Sequence, residues 1–433
     1  MSSAISRRAV VSWILYDLAN TIFSMGVVSL YFSLYVASEV GAERADRIYG
    51  VISAISMGSI FIVSPLLGAM TDRARRRMPF LVWSTLVCCF ATALLARGPF
   101  RVSAVLFILA NACYQAGQQF YDALLPEVTT EENRGWIGGL GVGIGYLGSY
   151  LAVGIGLIFG TKNYALLFTI IAAAFCLFAL PCFLFVHERG NPNPRPIFSL
   201  RMIGESTRHT LATLRAGRDY PGLLRFLVGR VFYTDAINTV IAYMSLYTVN
   251  VAMAHGLLRS AGEHRAQLIM MSAISAAVLG GLAWGKAVDR IGPKRTLNLV
   301  LGLWIGCLTL AAMTGLFVLP LAVMYVIASL VGIALGGIWA ADRPFMLRLT
   351  PPDRVGEFYG LYGMVGRFSA VSGPVIWATT TYFAVERGGL TPLTGQSIAI
   401  MVLVVMVIVS AVILRSVSDE RRAWTAPPAV IRT

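Results

Sequence analysis

Charge is what this sequence lacks most. Of its 433 residues only 13% are Asp, Glu, Lys or Arg while 57% are hydrophobic, and the mean hydropathy is +0.72. A soluble domain typically carries ~25% charged residues. A chain this poor in charge cannot cover its surface with polar groups, so lipid must cover it. Cysteine is sparse as well. The six (Cys88, Cys89, Cys113, Cys176, Cys182 and Cys307) all sit inside apolar runs and read as small core residues, not as a disulfide framework. The four histidines, His187, His209, His255 and His264, read as loop residues, and neither they nor the cysteines have metal-ligand spacing. There is no nucleophile elbow and no phosphate loop with its lysine. These absences argue against an enzyme, a bound metal or other cofactor, and an ATP-driven pump within one chain. Strands of ~10 residues with period-2 alternation are also missing, which excludes a β-barrel. The net charge of +14 does not point to nucleic acid, because the arginines cluster in short loops between apolar runs, where they set membrane orientation.

What is there in quantity is apolar runs of ~20 residues, each the length of a membrane-crossing helix. The reading gives twelve, at 10–37, 48–71, 79–96, 101–125, 136–160, 164–186, 222–251, 266–288, 296–317, 321–347, 356–383 and 396–415. They divide into a six-helix bundle over 1–186, a proline-broken connector over 187–221 and a second six-helix bundle over 222–433 that ends in a short tail. The later connector, SLRMIGESTRHTLATLRAG, has helical spacing and reads as lying on the membrane surface. Arg7 and Arg8 precede an apolar run too long for a cleaved signal, so the first helix is expected to stay. Basic residues concentrate on one side of the spans, which puts both ends in the cytoplasm, and the compact loops are those expected of a bacterial inner (cell) membrane protein.

The two bundles repeat one another. Asp17, Asn20 and Thr21 in the first span recur about half a chain later as Asp235, Asn238 and Thr239. Gly68-x-x-x-Asp72-Arg73 recurs as Gly285-x-x-x-Asp289-Arg290, and Asp122 near the end of span 4 recurs as Asp342 near the end of span 10. Parallel six-helix repeats are a construction used by secondary transporters, with the substrate site at their interface near the midplane.

Charges inside spans are expensive and mark function by default. Asp17, Asn20, Thr21 and Ser24 share a helix face, and nine residues at ~1.5 Å place Asp17 roughly 13 Å deeper than Arg8. Such a carboxylate, and Asp235 with it, can carry a proton or hold a cation such as Na⁺. Arg367 in span 11 cannot lose its charge and so cannot carry the proton. It is expected to face a carboxylate, either Asp17 or Asp235 of the protein or one on the substrate. Gln115 and Gln118 of span 4 share a face with Asn111 and Asp122 and are candidates for lining a central cavity. The paired Gly-x-x-x-Asp-Arg loops read as a gate on the cytoplasmic side, with Asp72 and Asp289 meeting a helix N-terminus across the half-interface. Asp122, Asp342 and Arg343 are assigned to the same gate. The glycines of span 5, from Gly138 to Gly148, read as a packing surface.

These motifs resemble the major facilitator superfamily. SWILYDLANTIF at the start, LLPE at 124–127 followed by GYLG at 145–148, and DRPFMLRLTPPDRVGEFYGLYGMVGRFSAVSGP at 342–374 narrow the resemblance. It is to the branch of autophagy-related vacuolar amino-acid effluxers and their bacterial relatives, which is distantly similar to glycoside–cation symporters. Relatives often carry lysine where this chain has Arg367. The resemblance implies a monomeric secondary transporter for an amino acid or similar small polar solute, proton- or cation-coupled. A lipid flippase or sugar–cation symporter is the alternative within the same fold.

Overall fold

In lipid every backbone N–H and C=O must find its partner within the chain, and helices meet that demand segment by segment. The computed structural model describes residues 6–160, 162–191, 194, 196 and 222–420, so the surface helix expected in the later connector lies outside the described residues. Among the described residues the chain is helical throughout, and ten helices are long and apolar enough to cross a membrane. In chain order the helices are α1 (Arg7–Val40), α2 (Ala42–Arg73), α3 (Met78–Ala93), α4 (Phe100–Ala123), α5 (Arg134–Phe159) and α6 (Tyr164–Phe185). Then come α7 (Leu223–Ala254), α8 (Arg259–Ile291), α9 (Pro293–Leu316), α10 (Ala322–Leu349), α11 (Val355–Tyr382) and α12 (Pro392–Arg415). The two outside the ten are α3, only 16 residues long, and α11, which holds Glu357 and Arg367. Both occupy the positions of expected spans, and the architecture is two six-helix bundles.

The bundles meet along α2 against α11 and α5 against α8 and α10. Glycine decides how closely. A Cβ on Gly68 would collide with the backbone carbonyl of Gly356, and a Cβ on Gly139 would lie 2.6 Å from the Cα of Gly285. The repeated glycine of the loop motif therefore does the same work twice, once against α11 and once against α5. The expected packing role of the α5 glycines is met in part across this seam and in part against α1, where Gly141 faces Trp13 and Gly148 faces the Leu18 carbonyl. Gly138 faces no neighbour at all.

Two features are invisible in the residue pattern. Just past Asn20, α1 widens into a π-helical stretch over Ser24–Tyr31 before returning to α over Phe32–Val40, a distortion common at functional sites. And α8 begins at Arg259, so His264 is helical and not in a loop.

A valine at Gly139 overpacks the α5–α8 seam, which typically costs ~1–3 kcal/mol. Because the strained contact lies between the bundles, parting them relieves it. Gly139→Val is therefore expected to expose the closed side without unfolding the chain. A cysteine introduced at Thr71, 2% exposed here, should be labelled faster by maleimide in the Gly139→Val background. Unchanged labelling would contradict the seam's role.

Candidate functional site

Between the bundles lies a cavity of about 630 Å³. Its lining on α1 runs from Asp17 through Asn20 and Ser24 to Ser29, on α7 from Arg230 to Thr248, and on α10 from Arg343 back to Met324. Each of these series starts in the half of the membrane nearer the chain ends and climbs away from it. The cavity thus extends toward the face opposite the chain termini.

Its floor is ionic. Arg343 of α10 places Nη1 3.3 Å from Asp17 Oδ2 of α1 and Nε 3.1 Å from Asp122 Oδ1 of α4. One guanidinium from the second bundle therefore serves two carboxylates of the first. All three residues are at most 7% exposed. An aromatic stack lies beside them. The Tyr121 ring lies 4.5 Å from Trp13 and 5.0 Å from Tyr16, and the Arg343 guanidinium sits 5.7 Å from the Tyr121 ring centre. Gln118 Nε2 donates to Asp122 at 3.3 Å. Two carboxylates share one guanidinium, so acidic groups outnumber basic ones at this pole.

Arg367 is the opposite pole. Of its two expected kinds of partner, the carboxylates of the protein, Asp17 and Asp235, do not meet it. Nη1 donates to Ser64 Oγ at 2.6 Å and Nη2 to the Gln115 carbonyl at 2.8 Å, while Nε is buried with no partner. Among the described residues no carboxylate lies within ion-pair distance of it. Asp17 and Asp122 are engaged by Arg343, Asp342 by Arg230, and Asp235 by Ser372. A buried cation on neutral acceptors at a cavity wall is incompletely compensated.

Other candidates divide. Asn20, Asn238, Gln115 and Gln118 line the cavity. Both amide atoms of Asn20 and the hydroxyl of Thr234 are buried there without hydrogen-bond partners. Asp235 does not line it. Its carboxylate accepts from Ser372 at 2.7 Å behind the α7 wall, with no basic partner among the described residues. Asn111 turns away to donate to Ser56.

Asp342, expected at the gate, belongs to one bundle. Arg230 Nε donates to it at 3.0 Å, Tyr233 at 2.6 Å and Tyr362 at 2.8 Å, and all four residues come from α7, α10 and α11. Arg230 also lies 3.6 Å over the Tyr362 ring. Sequence reading passes over Arg230, although its position on the face of α7 one turn before Thr234 marks it as buried. Arg343 is likewise underread, because only the fold brings it under Asp17.

The chain-terminus side is closed by two matching contacts. Asp72 accepts from the backbone N–H groups of Gly356 and Glu357, at 2.7 Å each, at the start of α11. Asp289 accepts from those of Gly135 and Trp136, also 2.7 Å each, at the start of α5. A carboxylate on the positive end of a helix is favourable. Arg77 supports Asp72 at 2.9 Å, Arg73 is half-buried beside it, and Arg290 is exposed.

Comparison with known proteins agrees with this architecture. A family model described as vacuole effluxer Atg22 like matches residues 41–426. An uncharacterised transporter of the major facilitator type from Bacillus subtilis (strain 168), YxiO, is 26% identical over 94% of both chains. Autophagy-related protein 22 of Pichia angusta is 24% identical over 41% of this chain and 33% of its own. Among solved structures, the human organic anion transporter MFSD10 superposes with a TM-score of 0.71 at 15% identity over 94% of this chain and 99% of its own. An outward-facing bacterial homologue of the iron transporter ferroportin does so with 0.71 at 14% over 96% and 100%. The family is one of multi-pass membrane transporters, not enzymes.

Breaking a buried ion pair from one side typically costs ~3–5 kcal/mol, whereas replacing both partners with apolar groups is often neutral. Asp342→Asn should lower the unfolding temperature of the purified protein strongly, and Arg230→Met with Asp342→Leu should recover most of it. Asp17→Asn should lower it far less, since Arg343 keeps Asp122. Equal losses for Asp17→Asn and Asp342→Asn would contradict this division.

Proposed function

The chain belongs to the vacuole effluxer Atg22-like family, and from that premise we propose that it is a secondary transporter of a small polar solute, an amino acid or similar, working by alternating access. The observation that carries this reading is the cavity of about 630 Å³, closed at one end by contacts between the bundles and lined by opposed, incompletely matched charges. That volume is in the range of small-molecule sites.

Residues 1–186 and 222–433 are the units that rock, with 187–221 as their tether. With both termini in the cytoplasm of a bacterial cell membrane, this conformation faces outward. Asp72 and Asp289 latch the cytoplasmic side. Asp17 couples transport to a proton or cation. When its charge is neutralised, Arg343 retains only Asp122, and the bundles lose one of their two buried ionic ties. Arg367 stays charged in every state and receives an anionic oxygen of the solute. Asn20 and Thr234 supply hydrogen bonds it would otherwise lack. Asp235 is a weaker coupling candidate, since it stands outside the cavity lining.

The test is transport by purified protein in proteoliposomes, with labelled amino acids and imposed proton or Na⁺ gradients. Asp17→Asn should abolish gradient-driven accumulation and preserve exchange between equal solute pools. Full accumulation by this variant would remove Asp17 from coupling. Arg367→Gln should weaken binding of a carboxylate-bearing solute by roughly 10–100-fold, the worth of a charged hydrogen bond. Unchanged affinity would mean that no anionic group sits there.

A further inference from the structure

A second cavity, about 830 Å³, lies outside the bundle interface and opens toward lipid between α2 and α3. Ile60, Val63 and Leu67 of α2 form one wall and Phe80 and Trp83 of α3 the other. Its floor is α4, where small residues leave the room. Helix α4 divides the two cavities, turning Cys113, Ala116 and Phe120 to the groove and Gln115, Gln118 and Asp122 to the centre. At the chain-terminus end the groove closes on Arg75 and Arg76.

These two arginines are exposed and have no acidic partner among the described residues. The nearby acids are occupied. Glu188 accepts from the backbone N–H groups of Arg77 and Met78 at 2.5 and 3.0 Å, and Asp72 is held by Arg77 and the start of α11. The groove therefore joins an apolar slot to an uncompensated double positive charge at the level of the lipid headgroups. From Ser59 to Ala74 it follows about fifteen residues of chain, roughly 22 Å at helical rise. One leaflet of a core ~30 Å thick needs about 15 Å.

We propose that this groove binds one acidic phospholipid, with its phosphate on Arg75 and Arg76 and an acyl chain between α2 and α3. The medium against this face supplies acyl chains, and the two guanidiniums select a negative headgroup. The proposal does not depend on what the central cavity carries.

The test uses the full chain in detergent with phosphatidylglycerol or phosphatidylcholine bearing brominated acyl chains, which quench tryptophan on contact. Trp83 is 70% exposed at the groove, and its share of the quenching is the difference between the protein and Trp83→Phe. Phosphatidylglycerol should quench Trp83 at roughly tenfold lower mole fraction than phosphatidylcholine. Arg75→Gln with Arg76→Gln should erase that preference and leave quenching by phosphatidylcholine intact. Equal quenching by both lipids, or a preference that survives the double substitution, would overturn the site. Ala112→Phe fills the floor and keeps both arginines, and native mass spectrometry should show that it retains less phosphatidylglycerol than the unmodified chain. Equal retention would mean that no acyl chain occupies the groove, which also overturns the proposal.

Discussion

A guanidinium cannot discharge itself to enter a membrane, so Arg343 has to bring its counter-ions with it. It takes both from the other bundle, Asp17 at 3.3 Å and Asp122 at 3.1 Å. The pairing fixes where the bundles meet and sets the floor of the cavity. It also leaves the floor with one more acid than base. Any rocking that separates α10 from α1 and α4 has to uncover these charges, and uncovered charge in a low-dielectric interior is costly. The proposed coupling rests on this cost, since a proton or a bound cation that neutralises a carboxylate there would lower it. The second buried pair, Arg230 with Asp342, makes no tie between the bundles, since every partner comes from one of them.

Below this ionic floor the closed side is held by cheaper contacts. Asp72 and Asp289 each use both oxygens on two backbone N–H groups at a helix start in the opposite bundle. Such contacts use the helix end itself in place of a cation, so no second charge from the opposite bundle has to be dehydrated when they form. Gly68 and Gly285, one turn before these aspartates, let the helices approach closely enough for the contacts to form.

The fold was legible because lipid imposes it. Apolar runs of the right length and a repeat offset of half the chain leave little freedom. The contacts of Asp72 and Asp289 were legible for a similar reason, since Gly-x-x-x-Asp-Arg occurs twice in register and each copy has a helix start to meet. The pairing of the buried charges was harder to read, because partners such as Asp17 and Arg343 are separated by 326 residues and meet only through packing. One signal did exist. Asp235 repeats Asp17, which suggests the same surroundings. The repeat of Asp342-Arg343, however, is Asp122-Ala123. Where Asp17 finds Arg343, the equivalent position for Asp235 holds alanine, and Asp235 settles on Ser372 instead. The π-helical stretch of α1 has no comparable signature, since nothing in SMGVVSLY demands it.

The central claim is that the Asp17–Arg343–Asp122 group ties the bundles together on the side of the chain termini. It is tested most directly by the distance between spin labels at Glu132 and Arg295, exposed positions on that side of the two bundles. The account predicts that Asp17→Asn shifts the distance distribution toward longer values, and that acidification shifts the unmodified chain the same way. A distribution that Asp17→Asn leaves unchanged would contradict it, and would reduce the shared guanidinium to a structural pair.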